Sequence, residues 1–206
     1  MEKGIDVFEL IGSRLSRAEA SGCLAGERVP AAVAMILRRS SEGFELFFIR
    51  RAHHPNDPWS GNIGFPGGRY ESHDPTLRHT AERETMEEVG IDLRAARYLG
   101  RLADIVGQNL PVRVSCFVYC IDGEVDTALS HEVHTAFWVA FERLTDPQRQ
   151  ITAKVRFEKQ VLEVPAIDLP VENMPVLWGI TYRLVYQLIH LVSEGETGSP
   201  PYELPV

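Results

Sequence analysis

Cysteine is scarce in this chain of 206 residues, which has three: Cys23, Cys116 and Cys120. A sparse, odd number of thiols argues against a disulfide framework and predicts reduced cysteines. The sequence also has no apolar run near the roughly 20 residues that a membrane-spanning helix requires. Its N-terminal segment predicts an amphipathic helix without the apolar core of a secretory signal. We therefore expect a cytoplasmic protein with no membrane segment.

An excess of basic residues is absent too, since the formal net charge is −8. Surfaces that bind nucleic acid are usually basic, so we expect no nucleic-acid partner. A negative charge does not exclude phosphate-bearing small molecules, because a bound cation reverses the local field. The apolar content of 44% and the charged content of 24% are ordinary for a globular domain.

The most informative residues that the sequence does contain are three closely spaced carboxylates: Glu84, Glu87 and Glu88. On a helix, positions i, i+3 and i+4 share a face, so these anions repel each other. They also oppose the helix dipole if they lie near its C-terminus. A hard divalent cation such as Mg²⁺ or Mn²⁺ offsets both penalties, since it takes oxygen ligands and bridges carboxylates to substrate phosphates. The triplet therefore predicts metal-dependent chemistry on a phosphate ester or diphosphate.

The residues around the triplet predict where this helix begins and ends. Asp74 is a candidate N-cap, with Pro75 at the first helical position. Gly90 stands where a C-terminal glycine belongs. Phe65-Pro66-Gly67-Gly68 predicts a turn just before the helix, in which glycine lets the backbone approach a ligand closely.

Hydrophobic periodicity predicts a mixed α/β architecture. Strands are expected at 30–37, 44–51, 63–65, 98–105, 112–121, 135–140, 155–157 and 161–167. Helices are expected at 6–20 and 176–193 besides the acidic one, with a short helical turn at 141–144. Several strands with a few helices favour a mixed sheet that is covered on both faces.

The acidic segment resembles the Nudix box, whose family pattern is G-x5-E-x7-R-E-U-x-E-E-x-G-U, with U a bulky apolar residue. The right half matches from Arg83 to Ile91, except that Thr85 takes the first apolar position. The left half departs, because Asp74 replaces the Glu and eight residues instead of seven separate it from Arg83. With this extra residue, the segment resembles that of the coenzyme A pyrophosphatase-like subgroup.

Two flanking segments extend the resemblance to about residues 28–192. Gly61-Asn62-Ile63-Gly64 precedes the glycine pair, and Trp178-Gly179-Ile180-Thr181 resembles a W-G-x-T motif before the subgroup's last helix. The resemblance implies a Nudix-type α/β/α sandwich with a mixed β-sheet. It divides the chain into an N-terminal helical extension at 1–27, a Nudix hydrolase domain at 28–194 and a C-terminal tail at 195–206.

The resemblance also implies roles for individual residues. Glu84, Glu87 and Glu88 would hold Mg²⁺ or Mn²⁺ together with a backbone carbonyl, which we expect at Gly68. Arg83 would orient the glutamates, since its forked donors suit carboxylates.

The general base stays open. A box glutamate, Glu87 or Glu88, competes with Glu132, and Glu158 and Glu163 are further candidates.

Substrate contacts are expected from Arg51, Trp59 and Gly67. Arg51 would contact phosphate, or else belong to a solvated loop. Trp59 would stack on a base, or else pack in the core. The backbone at Gly67 would lie close to the ligand.

The resemblance implies hydrolysis of a diphosphate in a nucleoside diphosphate linked to another group, with coenzyme A or a derivative as the leading substrate. ADP-ribose and NADH are alternatives, and a dimer is plausible. A non-catalytic Nudix-fold binding protein is the competing class, although all three box glutamates remain. Removal of a messenger-RNA cap is disfavoured by the charge of −8.

Overall fold

A computed structural model describes residues 6–15, 28–54, 59–107, 111–157 and 160–193. The strands are β1 (Val29–Ser40), β2 (Gly43–Arg51), β3 (Ile63–Gly64), β4 (Gly67–Arg69), β5 (Arg97–Arg101), β6 (Ile105–Val106), β7 (Val112–Ile121), β8 (Val133–Ala140), β9 (Gln150–Phe157), β10 (Gln160–Ile167) and β11 (Leu177–Trp178). The helices are α1 (Val7–Arg14), α2 (Leu77–Val89), α3 (Phe141–Thr145) and α4 (Gly179–Ser193). Short 3₁₀ turns occupy Leu93–Ala95 and Pro147–Arg149.

The main sheet is mixed, as predicted. Its strands follow the order β3-β2-β1-β7-β5, with β1 parallel to β7 and antiparallel to β2. Three shorter pairings complete it: β4 with β1, β6 with β7, and β8 with β2.

Alternation along β1 sends its side chains to two cores. Met35 and Leu37 pack with the helices α1 and α4, whereas Ala34 and Ile36 pack with α2. Both faces of the sheet are therefore covered by helices, which confirms the predicted α/β architecture.

A second, smaller sheet is built from the hairpin β9–β10 and the two-residue strand β11. The hairpin is longer than the two separate segments predicted at 155–157 and 161–167. Its buried residues lie at its two ends: Val155 and Phe157 at the end of β9, and Ala166 and Ile167 at the end of β10, beside β11. Because β11 leads directly into α4, this sheet lies beside the start of the last helix.

The predicted start of the acidic helix was wrong. α2 begins at Leu77, and its N-cap is Thr76, whose hydroxyl accepts a hydrogen bond from the His79 N–H at 3.4 Å. Asp74 does not cap the helix because its carboxylate is engaged by the side chain of Arg83. Gly90 ends the helix as predicted, in the left-handed conformation.

Other boundaries also differ from the predictions. Gly67 and Gly68 lie in strand β4 instead of a turn, because they pair with β1. The strand predicted at 98–105 is two strands, separated at residues 102–104. α4 begins at Gly179, since Leu177–Trp178 pairs with β10. α1 ends at Arg14, and the rest of the helix predicted at 6–20 lies outside the described residues, as do the tail at 195–206 and most of the extension at 1–27.

Within the described ranges, the helices are all too short or too polar to cross a lipid bilayer.

Candidate active site

A cavity of about 610 Å³ opens between strands β1 and β4, the C-terminal half of α2 and the start of α4. That volume is within the roughly 300–1,000 Å³ typical of small-molecule sites. The predicted site residues that line it are Arg51, Trp59, Gly67, Gly68, Arg83, Glu84, Glu87, Glu88 and Glu132. The fold thus brings together residues that are up to 81 positions apart in sequence, from Arg51 to Glu132.

Glu88 is the most deeply buried of the box carboxylates, with 3% of its surface exposed. Its Oε2 accepts a hydrogen bond from the Gly67 N–H at 2.9 Å, and its Oε1 lies 3.6 Å from Arg51 Nη1. Burial raises the pKa of Glu88 to about 7, against the opposing effects of the Gly67 N–H and Arg51. Glu84 and Glu132 add negative charge and raise this pKa further.

Glu84 lies against the backbone of β4. A Cβ added to Gly68 would fall 2.3 Å from Glu84 Oε1, so only glycine leaves room for this carboxylate. Burial raises the pKa of Glu84, and Arg83 acts in the opposite direction. The glycine is therefore needed for the close approach of an acidic side chain to the strand.

Gly67 meets a different constraint. Its φ is +151°, and a Cβ there would fall 2.2 Å from the carbonyl oxygen of Ala32 in the neighbouring strand. Its N–H donates to Glu88, so the contact that the structure gives this glycine is with a box carboxylate.

Arg83 joins the carboxylates on the surface of α2. Its Nε and Nη2 donate to the two oxygens of Asp74 at 2.9 and 3.0 Å, which is a bidentate pair. Its Nη1 donates to Glu84 and to Glu87, both at 3.0 Å. This arrangement orients two of the three box glutamates, the role that the resemblance implies for the arginine.

Asp74 was assigned to helix capping from the sequence, and its place beside Arg83 was missed. The signal that could have located it is its position in the Nudix pattern, where it replaces a glutamate. The Arg83 guanidinium holds the pKa of Asp74 well below its usual range, although burial acts in the opposite direction. The Glu71 N–H and the Thr80 hydroxyl, which both donate to Asp74, lower it further.

We expect Asp74→Asn to lower the free energy of unfolding by about 2 kcal/mol at pH 6, because it removes a buried charge-assisted pair. Asp74 titrates near pH 3.9 when unfolded and lower when folded, so its stabilisation is present above about pH 3.9 and is lost as the pH falls towards the folded pKa. Urea denaturation should find the gap between wild type and variant about 1 kcal/mol smaller at pH 3 than at pH 6.

Asp92→Asn is the matched control for this prediction, since Asp92 also pairs with an arginine, Arg94, but on the exposed surface. Exposed pairs contribute little to stability, so the control should denature like the wild type. An equal effect of the two substitutions would contradict the special role of Asp74.

The candidates for a general base are distributed unequally. Glu132 is exposed at the cavity rim, and its backbone carbonyl accepts the Ala52 N–H at 2.8 Å, which anchors it beside the end of β2. Glu87 is 60% exposed at the other side. Glu163 lies on β10 and does not line the cavity, and Glu158 lies outside the described residues.

The far wall of the cavity is aromatic. Trp59 lines it and packs against Phe157, with 5.3 Å between ring centroids. Trp178 also lines the cavity, and its Nε1 donates to Asn62 Oδ1 at 3.3 Å. Phe157 was missed from the sequence, because a single phenylalanine in a predicted strand carries no local signal of a site.

The donor set fits a divalent cation by its chemistry. Glu84, Glu87 and Glu88 offer hard oxygen ligands, and the glycine strand leaves space for Glu84 beside the backbone. Across the described ranges, no three His, Cys, Asp or Glu side chains already converge as a metal cage. Glu84 and Glu87 each accept a hydrogen bond from Arg83. A bound cation would further compensate the negative charge of the carboxylates, which burial makes unfavourable.

Comparison with known proteins gives a consistent result. The NUDIX domain model matches residues 28–160. An uncharacterised protein of Schizosaccharomyces pombe is 29% identical over 172 residues, covering 78% of this chain and 51% of its own length. A probable nudix hydrolase of the same yeast is 26% identical over 153 residues, covering 73% of this chain and 52% of its own. The chain therefore spans about half the length of these relatives.

Among solved structures, a MutT/nudix family protein from Enterococcus faecalis has a TM-score of 0.54 at 14% identity. The match covers 84% of this chain and 66% of that one. At this identity the likeness concerns the fold alone.

Proposed function

The chain belongs to the NUDIX domain family, and on that premise we propose that it is a metal-dependent pyrophosphohydrolase. Its substrate would be a nucleoside diphosphate linked to a second group, cleaved within the diphosphate. The observation that carries this proposal is the pair of carboxylates formed by the half-buried Glu84 and the buried Glu88, both held against a glycine strand at the wall of an open cavity.

The chain's own residues would divide the work around the diphosphate. Glu84, Glu87, Glu88 and the Gly68 carbonyl would hold Mg²⁺ or Mn²⁺, which when bound neutralises phosphate charge and activates water. Arg83 keeps Glu84 and Glu87 aligned from behind.

Arg51, whose Nη1 lies 3.6 Å from Glu88 Oε1, would contact phosphate oxygens of the substrate. Glu132 at the rim and Glu88 inside are the carboxylates that could accept the proton of the attacking water.

The cavity floor supports coenzyme A, or a derivative of it, as the substrate. Val29 and Ala31 of β1 lie in register with Val112 and Val114 of β7, and all four line the cavity. Leu184 of α4 adds a further apolar side chain. The methyl and methylene groups of the pantetheine chain of coenzyme A match such a surface better than a second ribose, which is mostly hydroxyl groups.

Product analysis tests the proposal directly. The purified protein with Mg²⁺ or Mn²⁺ should release 3′,5′-ADP and 4′-phosphopantetheine from coenzyme A faster than it cleaves ADP-ribose, NADH or Ap4A. Cleavage of ADP-ribose or NADH alone would keep the reaction and overturn the substrate. Absence of turnover with every compound, despite metal binding, would favour a binding protein with this fold.

The apolar floor can be tested by an isosteric change. Val29→Thr replaces a methyl by a hydroxyl at the cavity, and should reduce the preference for coenzyme A over ADP-ribose, measured as a ratio of kcat/KM, roughly fourfold. Val161→Thr is the matched control, since Val161 is also an exposed strand valine but does not line the cavity. An equal ratio of kcat/KM for coenzyme A over ADP-ribose in the two variants would show that the apolar floor does not select the substrate.

A further inference from the structure

Three aromatic rings meet where the small sheet joins the cavity: Trp59, Phe157 and Trp178. Phe157 is the central ring, with its centroid 5.3 Å from Trp59 and 5.8 Å from Trp178. Its plane is tilted by 51° to the ring of Trp59 and stands at 80° to that of Trp178, which is an edge-to-face arrangement. The three rings come from a loop, from the end of β9 and from β11.

Phe157 differs from the two tryptophans in its exposure. It is only 6% exposed and does not line the cavity, whereas both tryptophans are half-buried and do. Phe157 therefore supports the tryptophans from behind, and the surface that they keep exposed at the cavity is aromatic.

Hydrogen bonds fix the same wall. Trp178 Nε1 donates to the Asn62 side chain at 3.3 Å, and the Asn62 N–H donates to the Trp59 carbonyl at 3.0 Å. The Asn62 carbonyl in turn accepts the Arg51 N–H at 3.0 Å. The aromatic wall and the backbone of Arg51, at the charged end of the cavity, are thus parts of one frame.

The hairpin β9–β10 places Phe157 in this frame. Phe157 and Val155 lie on the same side of the hairpin as Leu162, which pairs directly with Val155. The other buried residues of the hairpin, Ala166 and Ile167, lie at its opposite end beside β11, so Val155 and Phe157 form a separate buried end. That end packs against the cavity wall through Phe157.

We propose that Phe157 is a positioning residue that, through Trp59 and Trp178, builds a subsite for the planar base of the nucleoside. The proposal rests on the proposed function for the identity of the ligand. A base offers a flat face to an aromatic surface, and such stacking depends little on which base is present. An aliphatic side chain at 157 would fill the space without holding the two rings at these angles.

The test is a binding measurement that needs neither metal nor turnover. AMP and ribose 5-phosphate differ by the base, so the ratio of their dissociation constants, measured by calorimetric titration, reports the subsite. Wild type should prefer AMP roughly tenfold. Phe157→Leu should lose most of that preference through weaker AMP binding, with ribose 5-phosphate affinity unchanged.

Val155→Ala is the matched control, because it reduces packing on the same side of the hairpin without removing a ring. It should keep the preference for AMP. If Phe157→Leu does not fold, Trp178→Phe and Trp178→Leu test the same subsite. Trp178→Phe keeps a ring and should retain the preference for AMP, whereas Trp178→Leu should lose it. Undiminished preference in Phe157→Leu, or in Trp178→Leu, would overturn the proposal.

Turnover separates a positioning role from a general structural one. With a cleavable substrate, Phe157→Leu should raise KM roughly tenfold and leave kcat within about twofold. A loss confined to kcat would contradict base positioning. Hydrolysis by a wild type that shows no preference for AMP would overturn the subsite alone, whereas a preference for AMP without hydrolysis of any substrate would overturn the enzyme proposal alone.

Discussion

Glu88→Gln is expected to lower kcat for diphosphate hydrolysis roughly 10³-fold, equivalent to about 4 kcal/mol of the activation barrier. The amide keeps an acceptor for the Gly67 N–H, which Glu88 Oε2 now binds at 2.9 Å. It removes the negative charge that a divalent ion and the reacting groups require. The measurement is kcat and KM with Mg²⁺ or Mn²⁺, together with calorimetric titration of Mn²⁺ to follow metal affinity.

The fold should survive this change, since Gln has nearly the shape of Glu and the variant removes a buried carboxylate that lies near two other anions, Glu84 and Glu132. Thermal unfolding of the metal-free protein should therefore show no loss of stability. Glu163→Gln is the control, because Glu163 is exposed on β10 and does not line the cavity. Full activity of Glu88→Gln with unchanged Mn²⁺ affinity would contradict the assignment of Glu88 as a metal ligand.

Gly67→Ala should reduce stability and Gly68→Ala should reduce activity, although the two glycines are neighbours. At Gly67 the new Cβ would meet the backbone of β1, 2.2 Å from the Ala32 carbonyl oxygen, at a φ of +151°. A backbone cannot swing aside, so Gly67→Ala should lower the free energy of unfolding by roughly 3 kcal/mol or more. Urea denaturation measures that loss.

At Gly68 the three atoms nearest to the new Cβ all belong to the carboxylate of Glu84, with Oε1 at 2.3 Å. That carboxylate can move away, so Gly68→Ala should fold with nearly normal stability. The displaced glutamate should lower metal affinity and kcat/KM by roughly 10–100-fold, the range found when the positioning of metal ligands is disturbed.

The pair is informative because each variant serves as the control for the other. Stability should fall at position 67 and activity at position 68. Loss of stability in both variants would mean that the Glu84 side chain cannot move away from a Cβ at position 68. Normal Mn²⁺ affinity in a folded Gly68→Ala would remove Glu84 from the proposed ligands.

Helix α2 could be predicted because its determinants are local. The i, i+3, i+4 spacing of the box glutamates and the glycine at its end are properties of one segment. Its start could not be assigned in the same way, since Asp74 and Thr76 are both good caps in isolation. Arg83, which lies nine positions after Asp74 in sequence, binds that carboxylate and leaves Thr76 as the cap.

The sequence by itself determined that an acidic helix follows a glycine pair, that several strands combine with a few helices, and that the family is Nudix. These features are carried by spacing within short segments, where the geometry of the helix and the strand dictates which side chains are neighbours. Only the tertiary structure decided that Glu132 and Arg51 meet the box and that Phe157 supports two tryptophans. Those neighbours depend on how β8 pairs with β2 and on how the hairpin pairs with β11, the strand just before α4. Which distant strands pair with each other cannot be read from the local sequence of either strand.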